Sequence, residues 1–228
     1  MDSIKKNTVS SKNQLKGKGP CFFINENGKG LRVLFVGNSI TLHGIAEGIG
    51  WYNLCGMAAS KPENDYVHLC IEEICKTQPD AAFAIAQVAD WERNYLNGSE
   101  CLENYSLARE FNPDVIIMRC IENCGWEDFN HEVFKREYKA LINYFNLSGK
   151  AKVIITEGFW KHTGNPDIKA VSEEMGQPFV ALEDLGENDA MKAIGEYEHG
   201  GVQQHPGDQG MKNIADRILN VLKDKKWI

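Results

Sequence analysis

One serine directly after a buried apolar run has the clearest potential for chemistry in this chain. The segment reads Val36-Gly37-Asn38-Ser39-Ile40-Thr41, so Ser39 lies just beyond a predicted strand end. A hydroxyl held above a sheet on a tight turn has the placement that a nucleophile needs. The nucleophile elbow G-x-S-x-G is not matched, because Thr41 stands at the second glycine, and no phosphate-binding glycine motif follows a strand. The alternative is that Ser39 caps a following helix.

A serine nucleophile needs a base, and His205 is the best placed of the six histidines. It lies in a glycine-bounded loop, 200–208, and is followed by Pro206 just before the last predicted helix. Neutral imidazole, with an ordinary pKa of about 6.5, can act as a base near neutral pH. The alternative is a turn histidine without a role. His43, four residues after Ser39, is better suited to a capping or substrate contact.

The elements that must position these residues alternate from residue 31 onward. Continuous apolar runs indicate strands buried on both faces, and apolar stripes at helical spacing indicate helices. Such alternation predicts an α/β fold, a three-layer α/β/α sandwich around a five-stranded, mainly parallel sheet, with chemistry at the carboxyl ends of its strands. Strands are predicted at 31–36, 81–86, 115–118, 153–156 and 178–182, and helices at 63–76, 102–111, 132–145, 167–175 and 208–222.

The composition limits the class of protein and its partners. The 228 residues, 43% hydrophobic and 25% charged, are enough for one globular domain, which is predicted to span 21–228. Residues 1–20 carry five lysines and one aspartate, a charge of +4, and are predicted to form a flexible basic tail. The net charge of -7 argues against nucleic acid as a partner. No apolar run approaches the roughly 20 residues of a membrane-spanning helix.

The seven cysteines form no spacing that is typical of a zinc site. They are expected to be reduced, mostly buried thiols of a cytoplasmic protein, and residues 1–18 lack the apolar stretch of an export signal. A metal site built from His199, His205 and either Glu196 or Glu198 fits no pattern that metal ligands use. Neither a metal nor a cofactor is therefore expected, and the oligomeric state is left open.

Four short segments follow one another in an order that resembles a known family. They are 37–41, 55–59 with Gly56, Glu122-Asn123 and His205-Pro206. They resemble the four blocks of the SGNH hydrolases, also called the GDSL-type esterases and lipases. The resemblance implies their flavodoxin-like fold over residues 31–222, with Ser39 as nucleophile and His205 as general base. It also implies an oxyanion hole formed by the amides of Ser39 and Gly56 and the side chain of Asn123.

Three positions depart from that family pattern. Asn38 replaces an aspartate before the serine, and Ile121 replaces a glycine before Glu122-Asn123. Val202 stands three residues before His205, where the family usually has the aspartate that orients the histidine. Either a backbone carbonyl or a different acid must then orient the ring, and Glu198 and Asp208 are the acids nearest in sequence.

The substrate is indicated by aromatic residues near the strand ends and by the resemblance. Tryptophan faces can stack on sugar rings, although packing in the core is the alternative. No stretch reads as an interfacial helix. Acetyl-type esters of carbohydrates are common substrates in the family, so a small-acyl esterase is predicted. The alternatives are a weak or inactive glycan- or acyl-binding module and a thioesterase or lysophospholipase of the same mechanism. Candidate substrate-binding residues are Asn38, His43, Trp126 and Trp160, and Trp51 and Trp91 also lie near the strand-end loops.

Overall fold

One mixed β-sheet organises residues 16–228, the part of the chain that the computed structural model describes. Its strands lie in the spatial order β1-β2-β4-β3-β5-β6-β7. The five strands β3 to β7 are parallel to one another. At one edge of the sheet, β2 pairs antiparallel with β4, and β1 pairs antiparallel with β2. The strands are β1 (Lys16–Lys18), β2 (Cys21–Ile24), β3 (Arg32–Gly37), β4 (Ala82–Gln87), β5 (Val115–Arg119), β6 (Lys152–Thr156) and β7 (Phe179–Val180).

The five predicted strands are confirmed as β3 to β7, but the sheet has seven strands rather than five. The two additional strands are held by backbone pairing to the edge of β4, and only Cys21 of β2 is fully buried. β1 is three residues long and contains two lysines, and β2 is a run of only four apolar residues, so neither has the length or the alternation that indicates a strand from sequence. β1 falls within the predicted tail 1–20, whose first fifteen positions lie outside the described residues.

Helices cover both faces of the sheet, as predicted for a three-layer sandwich. Val33 and Phe35 of β3 pack with α1 and α8, whereas Leu34 and Val36 pack on the other face with α4 and α5. The helices are α1 (Tyr66–Thr77), α2 (Ala89–Arg93), α3 (Ser106–Glu110), α4 (His131–Phe145), α5 (Asn165–Glu174), α6 (Glu183–Gly186), α7 (Gly200–Gln203) and α8 (Asp208–Asp224), with 3-10 turns at Glu47–Ile49, Pro62–Asn64, Tyr95–Tyr105 and Asp189–Met191. Within residues 16–228, no helix is both long and apolar enough to cross a membrane.

The strand register places three chain segments together at the carboxyl ends of the parallel strands. Gly37, at the end of β3, is paired with Gln87 of β4 and with Arg119 of β5. Because the parallel strands end level, the loops that follow them must converge above the sheet. These loops lead to Ser39, to α2 and to Asn123, which brings residues distant in sequence to one place.

The seven cysteines are all free, and five of them are buried. Burial raises the pKa of the Cys55, Cys70 and Cys120 thiols, among others, so these side chains are neutral apolar groups of the core. The prediction that most of the cysteines are buried is confirmed.

Candidate active site

Ser39 lies on a tight turn immediately after β3. The amides of Thr41 and Leu42 both donate to the carbonyl oxygen of Asn38, each at 2.9 Å, which closes the turn. Among the described residues, the first helical turn after Ser39 is Glu47–Ile49. The alternative that Ser39 caps a helix is therefore wrong, and its hydroxyl is free for another role.

Gly37 makes this turn possible, and its replacement provides a stability test. We expect Gly37→Ala to lower the free energy of unfolding by about 1–3 kcal/mol. A Cβ there would lie 1.9 Å from Thr41 Oγ1 and 2.7 Å from the Arg119 carbonyl oxygen. Gly44→Ala is the control, because a Cβ at that position meets no described atom within 4 Å. Urea unfolding that finds equal losses in the two variants would contradict this account.

His205 meets Ser39 across 166 positions of sequence, with its Nε2 2.9 Å from Ser39 Oγ. Its Nδ1 lies 2.8 Å from the carbonyl oxygen of Gly201, which can only accept a hydrogen bond. Nδ1 therefore carries the ring proton and Nε2 presents a lone pair to the serine hydroxyl. Burial lowers the pKa of His205 to about 4, while the hydrogen bond to Gly201 acts in the opposite direction. The imidazole is consequently neutral at pH 7, as a general base must be.

The ring of His205 is oriented by a backbone carbonyl, which resolves the question raised by Val202. Val202 is buried in an apolar cluster with Trp51 and Tyr197. Asp208 accepts hydrogen bonds from the amide and hydroxyl of Ser60, and Glu198 is exposed. Of the two predicted alternatives, a backbone carbonyl or a different acid, the structure has the first. The carbonyl of Gly201 orients the ring, and Glu198 and Asp208 do not.

The predicted oxyanion donors differ in their placement. Asn123 lines the cavity above Ser39, and its Nδ2 donates to Glu92 Oε2 at 2.5 Å. The amide of Gly56, by contrast, donates to Asp65 Oδ2 at 2.9 Å and so is already engaged away from Ser39. The assignment of Gly56 to the oxyanion hole is therefore wrong in this arrangement. A Cβ on Gly56 would lie 2.5 Å from the Ile40 carbonyl oxygen, which gives the glycine a packing reason instead.

An open cavity of about 240 Å³ lies over the Ser39–His205 pair. Trp160 forms one wall, with its ring edge-on to that of His205 at 5.0 Å and its Nε1 donating to the Gln204 carbonyl oxygen at 3.0 Å. The cavity residues are Ser39, His43, Met57, Gln87, Ala89, Arg93, Asn123, Trp160 and His205.

Two of the four predicted substrate-binding residues are placed at this cavity. His43 and Trp160 line it, which leaves both as candidates. Trp126 is exposed and packs against His162 with ring centroids 4.9 Å apart, outside the cavity lining. Trp51 and Trp91 are fully buried, so for them the alternative of core packing is correct.

Asn38 is the fourth of these residues, and it belongs to a buried polar network beneath the serine. Its Nδ2 donates to Glu92 Oε1 at 2.8 Å and to Glu122 Oε2 at 2.5 Å, and its Oδ1 accepts from Arg119. Because both its amide hydrogens are used and the side chain is 0% exposed, Asn38 cannot bind substrate as predicted. It instead fixes the turn that carries Ser39.

Arg119 and Glu122 supply the charges of this network. Arg119 Nη1 lies 2.6 Å from Glu122 Oε1, and both side chains are excluded from solvent. Burial opposes ionisation of Glu122, but the Arg119 guanidinium holds the pKa of that carboxyl below its usual value. Glu122 Oε1 also accepts from the Phe159 amide at 2.9 Å, so the pair ties the Asn123 loop to the next strand-end loop.

Sequence reasoning missed Glu92 and Arg119, which hold the site together. Both stand next to apolar residues in β5 or α2, where a charged residue looks like an ordinary surface position. For Arg119 the sequence did contain a signal, because this charged residue directly follows the apolar run 115–118 of a predicted buried strand. In the described part of the chain, no group of three acidic, histidine or cysteine residues could hold a metal ion.

The fold is similar to those of solved carbohydrate esterases. A two-domain esterase (CEX) active on acetylated mannans matches with a TM-score of 0.57 and 18% identity, over 88% of this chain and 50% of that one. A family two carbohydrate esterase from Clostridium thermocellum, in complex with cellohexaose, matches at 0.58 and 14% identity, over 87% and 65%. A lipolytic protein of the G-D-S-L family from Veillonella parvula matches at 0.52 and 15% identity, over 85% and 98%.

These similarities concern the fold, because the identities are low. The chain spans about half the length of the mannan esterase and 65% of the Clostridium enzyme. No family model and no curated protein matches the chain. Residues 16–228 nevertheless adopt the SGNH-hydrolase fold that the four sequence segments predicted.

Proposed function

We propose that this chain is a serine esterase that hydrolyses small, acetyl-type acyl esters of carbohydrates. The contact of 2.9 Å between Ser39 Oγ and His205 Nε2 carries the proposal. The hydrogen bond from Nδ1 to Gly201 supports it further, because it leaves Nε2 unprotonated and ready to accept the serine proton.

The reaction would proceed through an acyl-enzyme. His205 Nε2 takes the proton from Ser39 Oγ as this oxygen attacks the ester carbonyl carbon. The resulting oxyanion accepts hydrogen bonds from the Ser39 amide and from Asn123 Nδ2. The C–O bond to the alcohol then breaks, and the alcohol leaves with the proton from His205. Water then attacks the acyl carbon and gives a proton to His205. The bond between this carbon and Ser39 Oγ breaks, Oγ takes the proton back from His205, and the carboxylic acid leaves.

The size and lining of the cavity favour a short acyl group on a sugar. About 240 Å³ of open space is small for a long hydrocarbon chain. Trp160 offers an aromatic surface beside His205, against which a sugar ring can stack. The mannan esterase of similar fold acts on acetylated mannans, which supports the same substrate class for this chain.

The chain-length preference tests the proposed substrate class. We expect kcat/KM for p-nitrophenyl acetate to exceed that for the octanoate ester by about 10-fold or more, because the longer chain does not fit the cavity. Acetylated xylose should also release acetate, which is measured directly with an acetate assay. Preference for the octanoate ester would overturn the small-acyl assignment.

A glycan- or acyl-binding module without turnover is the second candidate. The observation that favours it is the neutral carbonyl of Gly201 in the place of a carboxylate, since a carbonyl stabilises the imidazolium less. Labelling with a fluorophosphonate probe separates the two candidates. A folded chain that resists the probe supports the module, whereas labelling at Ser39 supports the esterase.

A further inference from the structure

Glu92 on α2 is a fully buried carboxylate beside the site, and none of the reacting atoms belongs to it. Its Oε1 accepts from Asn38 Nδ2 at 2.8 Å, and its Oε2 accepts from Asn123 Nδ2 at 2.5 Å. One side chain thus connects the turn that carries the nucleophile with the side chain that faces the oxyanion.

An ionised carboxylate only accepts hydrogen bonds, so it determines which end of a neighbouring amide faces it. Glu92 therefore turns the Nδ2 end of Asn123 toward itself. One of the two hydrogens on this nitrogen is used by Glu92, and the other is left for the cavity. Without the carboxylate the amide could rotate by half a turn and present its oxygen to the oxyanion, which would be repulsive.

We propose that Glu92 is the positioning residue of the oxyanion hole, holding Asn123 with an N–H directed at the reacting carbonyl oxygen. This role rests on the proposed esterase function. It explains why a charged side chain occupies a position that is 0% exposed, where an apolar residue would pack without desolvation.

The ionisable groups around Glu92 give the role a pH dependence. Glu122 and Arg119 face it across the Asn38 bridge, and Cys120, Cys124 and Tyr138 are close enough to feel its charge. Burial raises the pKa of Glu92 to about 7, and the negative charge of Glu122 adds to the effect. Burial also raises the pKa of the two thiols and the phenol, which stay neutral.

Protonation of Glu92 converts one of its acceptor oxygens into a donor, so it can no longer accept from both amides. Catalysis should therefore weaken as the pH falls through about 7. His205 alone would keep full activity until the pH approached its own value of about 4. The acid side of the profile thus reports Glu92 rather than the general base.

Glu92→Gln tests the role, because it keeps the shape and removes the charge. We expect kcat for p-nitrophenyl acetate to fall by about 10- to 100-fold at pH 8 with little change in KM. The loss of activity near pH 7 should disappear, and the remaining activity should stay level down to about pH 5. Glu100→Gln, the same change at an exposed position in the 3-10 segment that follows α2, is the control and should keep the wild-type kcat and profile.

A double-variant cycle with Asn123→Ala separates positioning from a general effect on the fold. If Glu92 acts through Asn123, the double variant should be no slower than Asn123→Ala alone. Thermal unfolding at pH 5 and pH 8 accompanies the kinetics. The folded-state pKa of Glu92 is raised from 4.5 to about 7, so wild type loses stability as the pH rises between these two values, and Glu92→Gln should be more stable relative to wild type at pH 8 than at pH 5.

The outcomes distinguish this role from the proposed function itself. Wild-type kcat and an unchanged pH profile in Glu92→Gln, or a fully multiplicative loss in the double variant, would overturn the positioning role alone. A wild-type chain that hydrolyses no ester would overturn both. If Glu92→Gln fails to fold, Glu92→Asp replaces it, since the shorter carboxylate keeps the charge but cannot reach both amides. Wild-type kcat in that variant would refute the role.

Discussion

Replacing Ser39 by alanine is expected to lower kcat/KM for p-nitrophenyl acetate by more than about 10⁴-fold. The variant loses the oxygen that forms the acyl-enzyme, and only binding and oxyanion stabilisation remain for direct attack by water. Labelling with the fluorophosphonate probe should be lost at the same time. Because the Ser39 hydroxyl bonds to His205 at the cavity surface, the free energy of unfolding should change by less than about 1 kcal/mol.

Ser148→Ala is the matched control for that experiment. Ser148 is exposed and lies in the loop before β6, at the amino ends of the parallel strands, whereas Ser39 lies at their carboxyl ends. It should keep wild-type kinetics and labelling. Residual activity in Ser39→Ala within about 10-fold of wild type would show that the hydrolysis does not pass through Ser39.

Asn123→Ala is expected to lower kcat by about 10²- to 10³-fold with a small change in KM. The side-chain amide stabilises charge that appears on the carbonyl oxygen only in the transition state, so its loss affects the chemical step more than binding. Steady-state kinetics on p-nitrophenyl acetate, with the two constants determined separately, give the measurement.

Asn27→Ala, an exposed change in the turn between β2 and β3, serves as the control and should leave both constants unchanged. A rise in KM with wild-type kcat in Asn123→Ala would contradict the oxyanion role and would assign Asn123 to ground-state binding. Circular dichroism of both variants shows whether the fold is retained.

The sequence by itself determined the α/β architecture and the meeting of Ser39 with His205. Apolar runs such as 31–36 are buried on both faces by helices, which identifies them locally as parallel strands. Since the carboxyl ends of parallel strands lie side by side, a serine directly after β3 had to lie at that end of the sheet. A histidine in a glycine-bounded loop before α8 was then the natural partner, and the contact between Ser39 and His205 agrees with this reasoning.

Only the tertiary structure decided what surrounds that pair. The carbonyl of Gly201 orients His205, the Gly56 amide is engaged by Asp65, and β2 pairs with β4 through backbone bonds. Every residue has backbone hydrogen-bonding groups, so the pattern of side chains does not predict which of these groups will bond to a distant segment. Glu92 meets Asn38 and Asn123 over 54 and 31 positions, and its burial follows from how α2 packs rather than from its neighbours in sequence. The periodicity of apolar residues predicts which positions of a strand or helix are buried. The contacts named here depend instead on which distant segments the sheet brings together.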